Sequence, residues 1–168
     1  MVGQKFKMNL DGQWAHYSGL SVNDLHDLLA IRQAVFIVEQ RSIYLDADEF
    51  DEYAHHFLVR HVCHSSSAEQ AKAITPIVAY ARLIPPEIKA QEVILGRILV
   101  AKNHRGEGLG LNLVKSCLDK CTALFPLCNI RLSAQCHLVD FYKKLGFEAV
   151  GKPYDDGGIE HIDMIFKR

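Results

Sequence analysis

The stretch Arg105-Gly106-Glu107-Gly108-Leu109-Gly110 decides the fold class of this 168-residue chain. It follows an apolar, strand-like segment, Val93–Val100, and precedes a segment with helical periodicity at residues 111–125. Glycines at alternate positions leave the main chain free of side chains where a helix begins. The first amide N–H groups of a helix lack partners and carry the positive end of its dipole, and Arg105 adds a fixed charge. The turn is therefore predicted to bind a phosphate or pyrophosphate.

Two known phosphate-binding fingerprints fail at this turn. The dinucleotide pattern G-x-G-x-x-G would need its third glycine at Leu111 or Leu113, and no Gly-Lys-Ser/Thr follows, as the Walker sequence requires. The pattern that fits is Arg-x-x-Gly-x-Gly between a strand and a helix. A plain tight turn is the alternative interpretation, because glycine-rich turns are common between strands and helices.

A second motif lies downstream of the glycine-rich turn. Residues 132–135 read as a buried strand, and the Phe-Tyr-Lys-Lys-Leu-Gly-Phe sequence at 141–147 reads as a short helix closed by Gly146. Together the two motifs resemble the GCN5-related N-acetyltransferase (GNAT) superfamily, in its coenzyme A pyrophosphate loop and its Phe-Tyr-x-x-x-Gly-Phe hallmark. The chain is also similar to the ElaA-type branch of that superfamily, although Gly108 and Gly110 make the loop richer in glycine than that branch suggests. The stretches that carry this similarity are 34–40, 79–82, 96–98, 105–107, 134–135 and 161–162.

The resemblance implies a fold, a cofactor and a reaction class. The fold is α/β: one GNAT-like domain over residues 1–168 with a mixed central sheet flanked by helices. The reaction is transfer of an acetyl group from acetyl-CoA to a primary amine of a small molecule or peptide. Coenzyme A would contact the main chain of Leu99 and Val100, and Gln135. Further contacts would come from Arg105, Gly106, Glu107, Gly108, Leu109, Gly110 and Tyr142.

Direct acyl transfer from a thioester needs a neutral amine, a polarised carbonyl oxygen and a proton for the departing thiolate. Tyr142 is the candidate acid, and the alternative is a tyrosine that only packs under the last strand. Glu39 and His161 are candidate bases, since a histidine titrates near neutrality. A water relay, or an amine that enters already neutral, is the alternative to either base.

The acceptor is expected near Phe36, Glu39, Arg97 and His161, because the resembled fold places these elements beside the thioester. Arg97 is a candidate for binding an acceptor carboxylate, and the alternative is a structural ion pair with the acidic segment 43–53. That segment itself has two interpretations: a solvated loop, or an acidic rim that attracts a cationic amine.

Composition excludes several classes of protein. Hydrophobic residues make up 49% of the chain and the formal net charge is −1, which argues against nucleic acid or a membrane as partner. No apolar run is long enough to span a membrane, and residues 1–11 do not read as a secretory signal. The five cysteines, an odd count, predict free thiols and a cytoplasmic location, with the oligomeric state open between monomer and homodimer. No metal is expected, because strand alternation would scatter His55, His56, His61, Cys63 and His64.

The order of elements is predicted from periodicity and breakers. A capping box at 21–24 starts a helix that ends near residues 39–40, and the helix at 111–125 is expected to bury Leu111, Val114, Leu118 and Cys121. Strands are predicted at 56–62, 74–84, Val93–Val100, 130–134, 147–150 and Ile159–Phe166, with a flexible turn at 65–72. Two rival functions remain at this level: a non-catalytic acyl-CoA-binding sensor, and an interaction protein with an inherited fold.

Overall fold

A computed structural model describes residues 10–61 and 76–168. In this part of the chain, seven strands form one mixed sheet in the order β1-β2-β3-β4-β5-β7-β6. The strands are β1 (Leu10–His16), β2 (His55–His61), β3 (Ile77–Ile84), β4 (Val93–Val100), β5 (Ile130–Gln135), β6 (Glu148–Asp156) and β7 (Ile159–Phe166). The helices are α1 (Val22–Arg32), α2 (Leu109–Leu124) and α3 (Val139–Lys143). The predicted fold class, one α/β domain with a mixed sheet flanked by helices, is confirmed.

The predicted capping box starts α1. The Ser21 side chain accepts a hydrogen bond from the Asp24 amide at 3.1 Å, and the Ser21 amide donates to the Asp24 carboxylate at 3.3 Å. After Arg32 the helix continues as a π-helical segment, Gln33–Glu39, and so ends where the sequence predicted. π-Helical turns inside helices often lie at functional sites, because they turn side chains out of the regular helical register.

Helices pack on both faces of the sheet. α2 and α3 cover one face, where alternate residues of β3, β4 and β5 point, and α1 with the π-helical segment covers the other over Leu58, Tyr80 and Leu99. The α1 side covers only the half of the sheet formed by β2, β3 and the end of β4. On β5, Arg131, Ser133 and Gln135 point away from the α2 face, since Ile130, Leu132 and Ala134 are buried against it.

The buried face of α2 differs from the expected one. Leu111 is 37% exposed, whereas the fully buried side includes Leu113, Cys117 and Cys121. The reason is that α2 begins at Leu109, after the left-handed Gly108, and Leu111 lies about 200° around the helix from Leu113. The predicted burial of Val114 and Cys121 is confirmed.

The strands vary in how well the sequence predicted them. β4 and β7 have the predicted bounds, and β4 has a β-bulge beside Gly96, where Arg97 has a φ of +52°. β1 was not predicted, and β6 runs to Asp156 rather than ending at 150. β6 is interrupted by a register shift between Val150 and Tyr154, so its pattern does not alternate. The predicted turn at 65–72, and residues 62, 74 and 75 of two predicted strands, lie outside the described residues.

Candidate active site

A gap opens between β4 and β5. The two strands pair in parallel only at Val93 with Ile130 and at Ile94 with Arg131, although β4 continues to Val100 and β5 to Gln135. Beyond these pairs the strands diverge, so the main-chain groups on the β5 side of β4 have no β5 partner. Amide and carbonyl groups that face a cleft are available to a ligand.

A cavity of about 610 Å³ occupies this gap. One side is lined by Phe36 of the π-helical segment and by β4 residues such as Arg97. The other side is lined by residues of β5, α3, β6 and β7, which include Gln135, Tyr142 and His161. Tyr142 belongs to the core on the α2 face, whereas His161 projects on the opposite face of the sheet beside Gln135. The cavity therefore reaches through the sheet and joins its two faces.

The glycine-rich turn lies just after β4. Gly106 and Gly108 have φ values of +81° and +80°, and a Cβ atom on either would meet no atom within 4 Å. Glycine is therefore required by the left-handed backbone, and the space in front of the turn is open. Among the described residues no side chain caps the N-terminus of α2, and the amides of its first turn have no intrahelical partner. The turn has the geometry of an anion site.

Arg105 is held in place by three hydrogen bonds. Its Nε donates to the Val100 carbonyl at 2.9 Å, and its two terminal nitrogens donate to the Glu39 carboxylate at 2.5 and 3.0 Å. This bidentate pair joins the end of the π-helical segment to the glycine-rich turn. The hydrogen bond from Arg105 lowers the pKa of the Glu39 carboxyl below its usual value, which makes Glu39 a poorer proton acceptor.

Tyr142 is buried in α3 but reaches the cavity. Its ring packs edge-on against Phe141 and Phe147. Burial raises the pKa of its hydroxyl, so the phenol stays protonated at neutral pH. Within residues 10–61 and 76–168, its hydroxyl has no hydrogen-bond partner. The Tyr142 hydroxyl is thus protonated and can donate a hydrogen bond to a group bound in the cavity.

His161 projects into the same cavity from β7. Its Nδ1 lies 2.8 Å from the carbonyl oxygen of Ile159, and a carbonyl can only accept. Nδ1 must therefore carry the proton in the neutral ring, which leaves Nε2 unprotonated and able to accept one. The ring also stacks on Tyr154 with a centroid separation of 6.4 Å. These contacts fix both the tautomer and the orientation that a general base needs.

The remaining predicted site residues lie in three places. Phe36 and Gln135 line the cavity, and Gln135 donates to the side chain of Gln40 at 3.3 Å. Leu99 and Val100 end β4, shortly before the glycine-rich turn, and are not among the residues that line the cavity. Glu39 does not line the cavity, because its carboxylate is turned toward Arg105.

Arg97 and the acidic segment form one buried network. The structure brings together three guanidinium groups and three carboxylates, which balance in charge. The members are Arg32, Arg82, Arg97, Asp46, Asp48 and Asp51. Arg97 Nε donates to Asp46 at 2.7 Å. Arg97 therefore forms the structural ion pair that was the alternative to binding an acceptor carboxylate. Neither interpretation of the segment holds for Asp46 and Asp51, which are 6% and 7% exposed, whereas Glu49 and Glu52 are exposed.

The network reaches the interior through His56, which is fully buried. Its Nδ1 lies 2.7 Å from the Tyr80 hydroxyl and its Nε2 lies 3.0 Å from the Asp51 carbonyl oxygen. Burial lowers the pKa of His56 to about 4, so the ring is neutral when the protein is folded at neutral pH. Burial alone would raise the pKa of Asp51, but hydrogen bonds from Arg32 and Arg82 outweigh it and the pKa falls.

Sequence reasoning missed several residues that line the cavity, among them Tyr44, Tyr154 and Asp156. Tyr154 and Asp156 lie on the part of β6 that was not predicted. The Asp-Asp-Gly-Gly sequence at 155–158 is a turn signal that could have revealed the β6–β7 hairpin, and its glycines have φ of +64° and +85°.

A family model described as an acetyltransferase (GNAT) domain matches residues 40–168. The chain belongs to the GNAT superfamily, in its ElaA-type branch. It is 37% identical to protein ElaA of Escherichia coli, over 92% of this chain and 95% of that protein. The crystal structure of E. coli ElaA superposes with a TM-score of 0.81, at 34% identity over 95% of this chain and 100% of that one. The GNAT resemblance predicted from the two motifs is confirmed.

Two further relatives support the assignment. A UPF0039 protein of Synechocystis is 41% identical over 95% of this chain and 97% of its own length. An acyl-CoA N-acyltransferase from Pseudomonas aeruginosa is 31% identical, with a TM-score of 0.81 over 94% of this chain and 99% of that one. The GNAT fold is that of acyl-CoA-dependent acyltransferases, so the chain has the architecture for binding an acyl-CoA and an acceptor.

Residues 10–61 and 76–168 contain neither a candidate metal cluster nor a helix that could cross a membrane. No three His, Cys, Asp or Glu side chains meet in an arrangement suited to a metal ion, and Cys63 and His64 lie outside these residues. No helix in the same ranges has the length and apolar character needed to cross a bilayer.

Proposed function

We propose that this protein, acting as a single domain over residues 1–168, is an acetyl-CoA-dependent N-acetyltransferase. It moves the acetyl group to a primary amine of a small molecule or peptide by direct attack. The observation that carries the proposal is the divergence of β4 and β5 after Ile94 and Arg131, which opens a cavity through the sheet beside an outward-facing glycine-rich turn. One substrate can enter from each face and meet the other in the gap.

The residues present fit coenzyme A. The pyrophosphate is assigned to the amides of Gly106, Glu107, Gly108, Leu109 and Gly110, where the open space and the unpartnered helix N-terminus favour an anion. Arg105 keeps two N–H donors beyond those that bind Val100 and Glu39, since a guanidinium has five. The pantetheine arm is assigned to the main chain of Leu99 and Val100 and to Gln135, at the edge of the gap. When bound, acetyl-CoA supplies the activated acyl carbon.

His161 and Tyr142 are assigned the two proton transfers. His161 Nε2 removes a proton from the amine, whose nitrogen forms the new bond to the acyl carbon as the carbon–sulfur bond breaks. Tyr142 then donates its proton to the departing thiolate and recovers it from solvent. Burial raises the pKa of the Tyr142 hydroxyl and also that of thiols, since the pKa of Cys121 in the neighbouring core is raised to about 12. A thiolate that departs into this interior is therefore a stronger base than one in water.

Glu39 and Arg97 are given positioning roles. Glu39 holds the Arg105 guanidinium beside the glycine-rich turn and, with its lowered pKa, is a weaker base candidate than His161. Arg97 is neutralised by Asp46 and anchors the acidic segment over the acceptor side of the cavity, and Phe36 contributes an apolar wall.

The test is release of the coenzyme A thiol from acetyl-CoA over a panel of primary amines, with the acetylated amine identified by mass. The proposal expects amine-dependent thiol release and a matching mass increase of one acetyl group. Calorimetry with acetyl-CoA accompanies the assay. Tight binding without thiol release for any amine would favour the sensor, and no binding at all would favour the interaction protein.

A further inference from the structure

Most charges that line the cavity are already paired. Arg82 and Arg97 belong to the balanced network of three arginines and three aspartates, and Arg131 binds Glu92 at 2.7 Å and Asp163 at 3.3 Å. In the described part of the chain, two charged side chains of the cavity have no ion-pair partner: Lys89 and Asp156.

The two unpaired charges lie at different places. Lys89 precedes β4, close to where β4 and β5 still pair, and its ammonium rests over the Phe50 ring at 4.8 Å. Asp156 ends β6 and pairs with Ile159, two residues before His161 on β7. Two residues along a strand span about 7 Å. Asp156 is therefore the unpaired charge that lies near the proposed base.

The surroundings of Asp156 reinforce its negative charge. Residues 153–166 contain the carboxylates Asp155, Asp156, Glu160 and Asp163 and no lysine or arginine. The hairpin tip also contacts the opposite wall, since a Cβ on Gly157 would lie 3.5 Å from the Ser42 Cβ. Asp156 is exposed and lines the cavity beside this tip, so its charge faces the space that a ligand would enter.

We infer that Asp156 is a specificity-determining residue that binds a second, cationic group of the acceptor. The inference rests on the proposed function, because it takes His161 as the place where the reacting amine is deprotonated. The acceptor class is then a diamine or another amine with a distal ammonium. Its reacting nitrogen lies at His161, and its charged end lies about 7 Å along the strand, beside Asp156.

Three acceptors with the same five-carbon chain test the inference: 1,5-diaminopentane, pentylamine and 5-aminopentanoate. Each offers a primary amine to acetylate, the diamine one at each end, and the group at the far end of the chain is cationic, neutral or anionic. The expected order of kcat/KM is diamine, then alkylamine, then amino acid, with roughly tenfold between the first two because a charge-assisted contact is gained. The advantage of the diamine should shrink as ionic strength rises.

Asp156→Asn removes the charge and keeps the shape of the side chain. In this variant the diamine should lose its advantage over pentylamine in kcat/KM. Glu148→Gln is the matched control, since it removes a carboxylate from the same strand. Among the described residues Glu148 forms an ion pair only with Lys167, and it does not line the cavity. Equal kcat/KM for the three acceptors in the parent, or an advantage that survives Asp156→Asn, would overturn the inference and leave the proposed function standing.

A binding measurement separates this inference from the proposed chemistry. Calorimetry of the coenzyme A-saturated protein should show tighter binding of 1,5-diaminopentane than of pentylamine, by roughly tenfold, in the parent and in Glu148→Gln but not in Asp156→Asn. Equal affinities for the two amines in the parent would refute the role of Asp156 even if no acceptor is acetylated. Selective binding without thiol release would support Asp156 and count against the transferase proposal.

Discussion

The substitution Gly108→Ala should abolish tight binding of acetyl-CoA. Gly151→Ala is a closely matched control. Both glycines have a φ of +80°, and a Cβ on either would meet no atom within 4 Å. They differ in place, because Gly108 precedes the first turn of α2 whereas Gly151 lies in the irregular part of β6. Any difference between the two variants therefore reports on the glycine-rich turn and not on backbone strain.

The magnitudes follow from the geometry. A left-handed conformation costs a non-glycine residue about 1–2 kcal/mol, so both variants should lose a similar part of the free energy of unfolding. For a domain of this size that loss lowers Tm by about 2–8 °C. At Gly108 the methyl group also occupies the open space in front of the amides. Losing one charge-assisted hydrogen bond of about 1.5–3 kcal/mol weakens the Kd for acetyl-CoA by about 10- to 150-fold.

The assay is a pair of measurements on each variant: thermal unfolding, and calorimetric titration with acetyl-CoA. Gly108→Ala and Gly151→Ala should show similar Tm losses, and only Gly108→Ala should show the weaker Kd. If both variants bind acetyl-CoA as tightly as the parent, the glycine-rich turn is not the pyrophosphate site. If both lose affinity equally, the effect comes from destabilisation and the assignment also fails.

Three further predictions follow from the site and its surroundings. Tyr142→Phe should lower the single-turnover rate by about 10²–10⁴-fold, as expected for loss of a general acid, while Tm and the Kd for acetyl-CoA stay close to those of the parent; an unchanged rate would leave Tyr142 as a packing residue. His161→Gln should lower kcat far more than Glu39→Gln, whereas Glu39→Gln should mainly alter acetyl-CoA binding, and the reverse order would make Glu39 the base. The pKa of His56 is lowered to about 4 from 6.5, so the folded state binds fewer protons than the unfolded state below pH 6.5. Stability should therefore fall by about 3 kcal/mol as the pH drops from 6.5 to 4, and urea unfolding of His56→Gln should show a flatter pH dependence.

Local signals explain why the sequence predicted part of the fold correctly. β4 is a mostly apolar run, β7 begins directly after the Gly-Gly turn at 157–158, and α1 begins at a capping box that needs only Ser21 and Asp24. β1 was missed because it is a largely polar edge strand, whose pairing with β2 depends on a partner far along the chain. β6 was cut short because its residues are exposed and its register shifts, so it lacks the alternation that identifies a half-buried strand.

Local patterns in the sequence also predicted only part of the candidate site. The glycine-rich turn and Tyr142 could be found because each belongs to a contiguous motif. The acidic segment was misread because its carboxylates look solvated until Arg32, Arg82 and Arg97 are brought to them from α1, β3 and β4. The contacts of Glu39 with Arg105 join residues 66 positions apart, so no local pattern could indicate them.

The measurement that tests the central claim most directly is single-turnover release of the coenzyme A thiol from enzyme-bound acetyl-CoA when a primary amine is added. The account predicts that thiol appears only with the amine present, in step with a product heavier by one acetyl group, and that the rate collapses in Tyr142→Phe. Stable enzyme-bound acetyl-CoA in the presence of every amine tried would contradict it, and the chain would then be a binder of acyl-CoA without transferase activity.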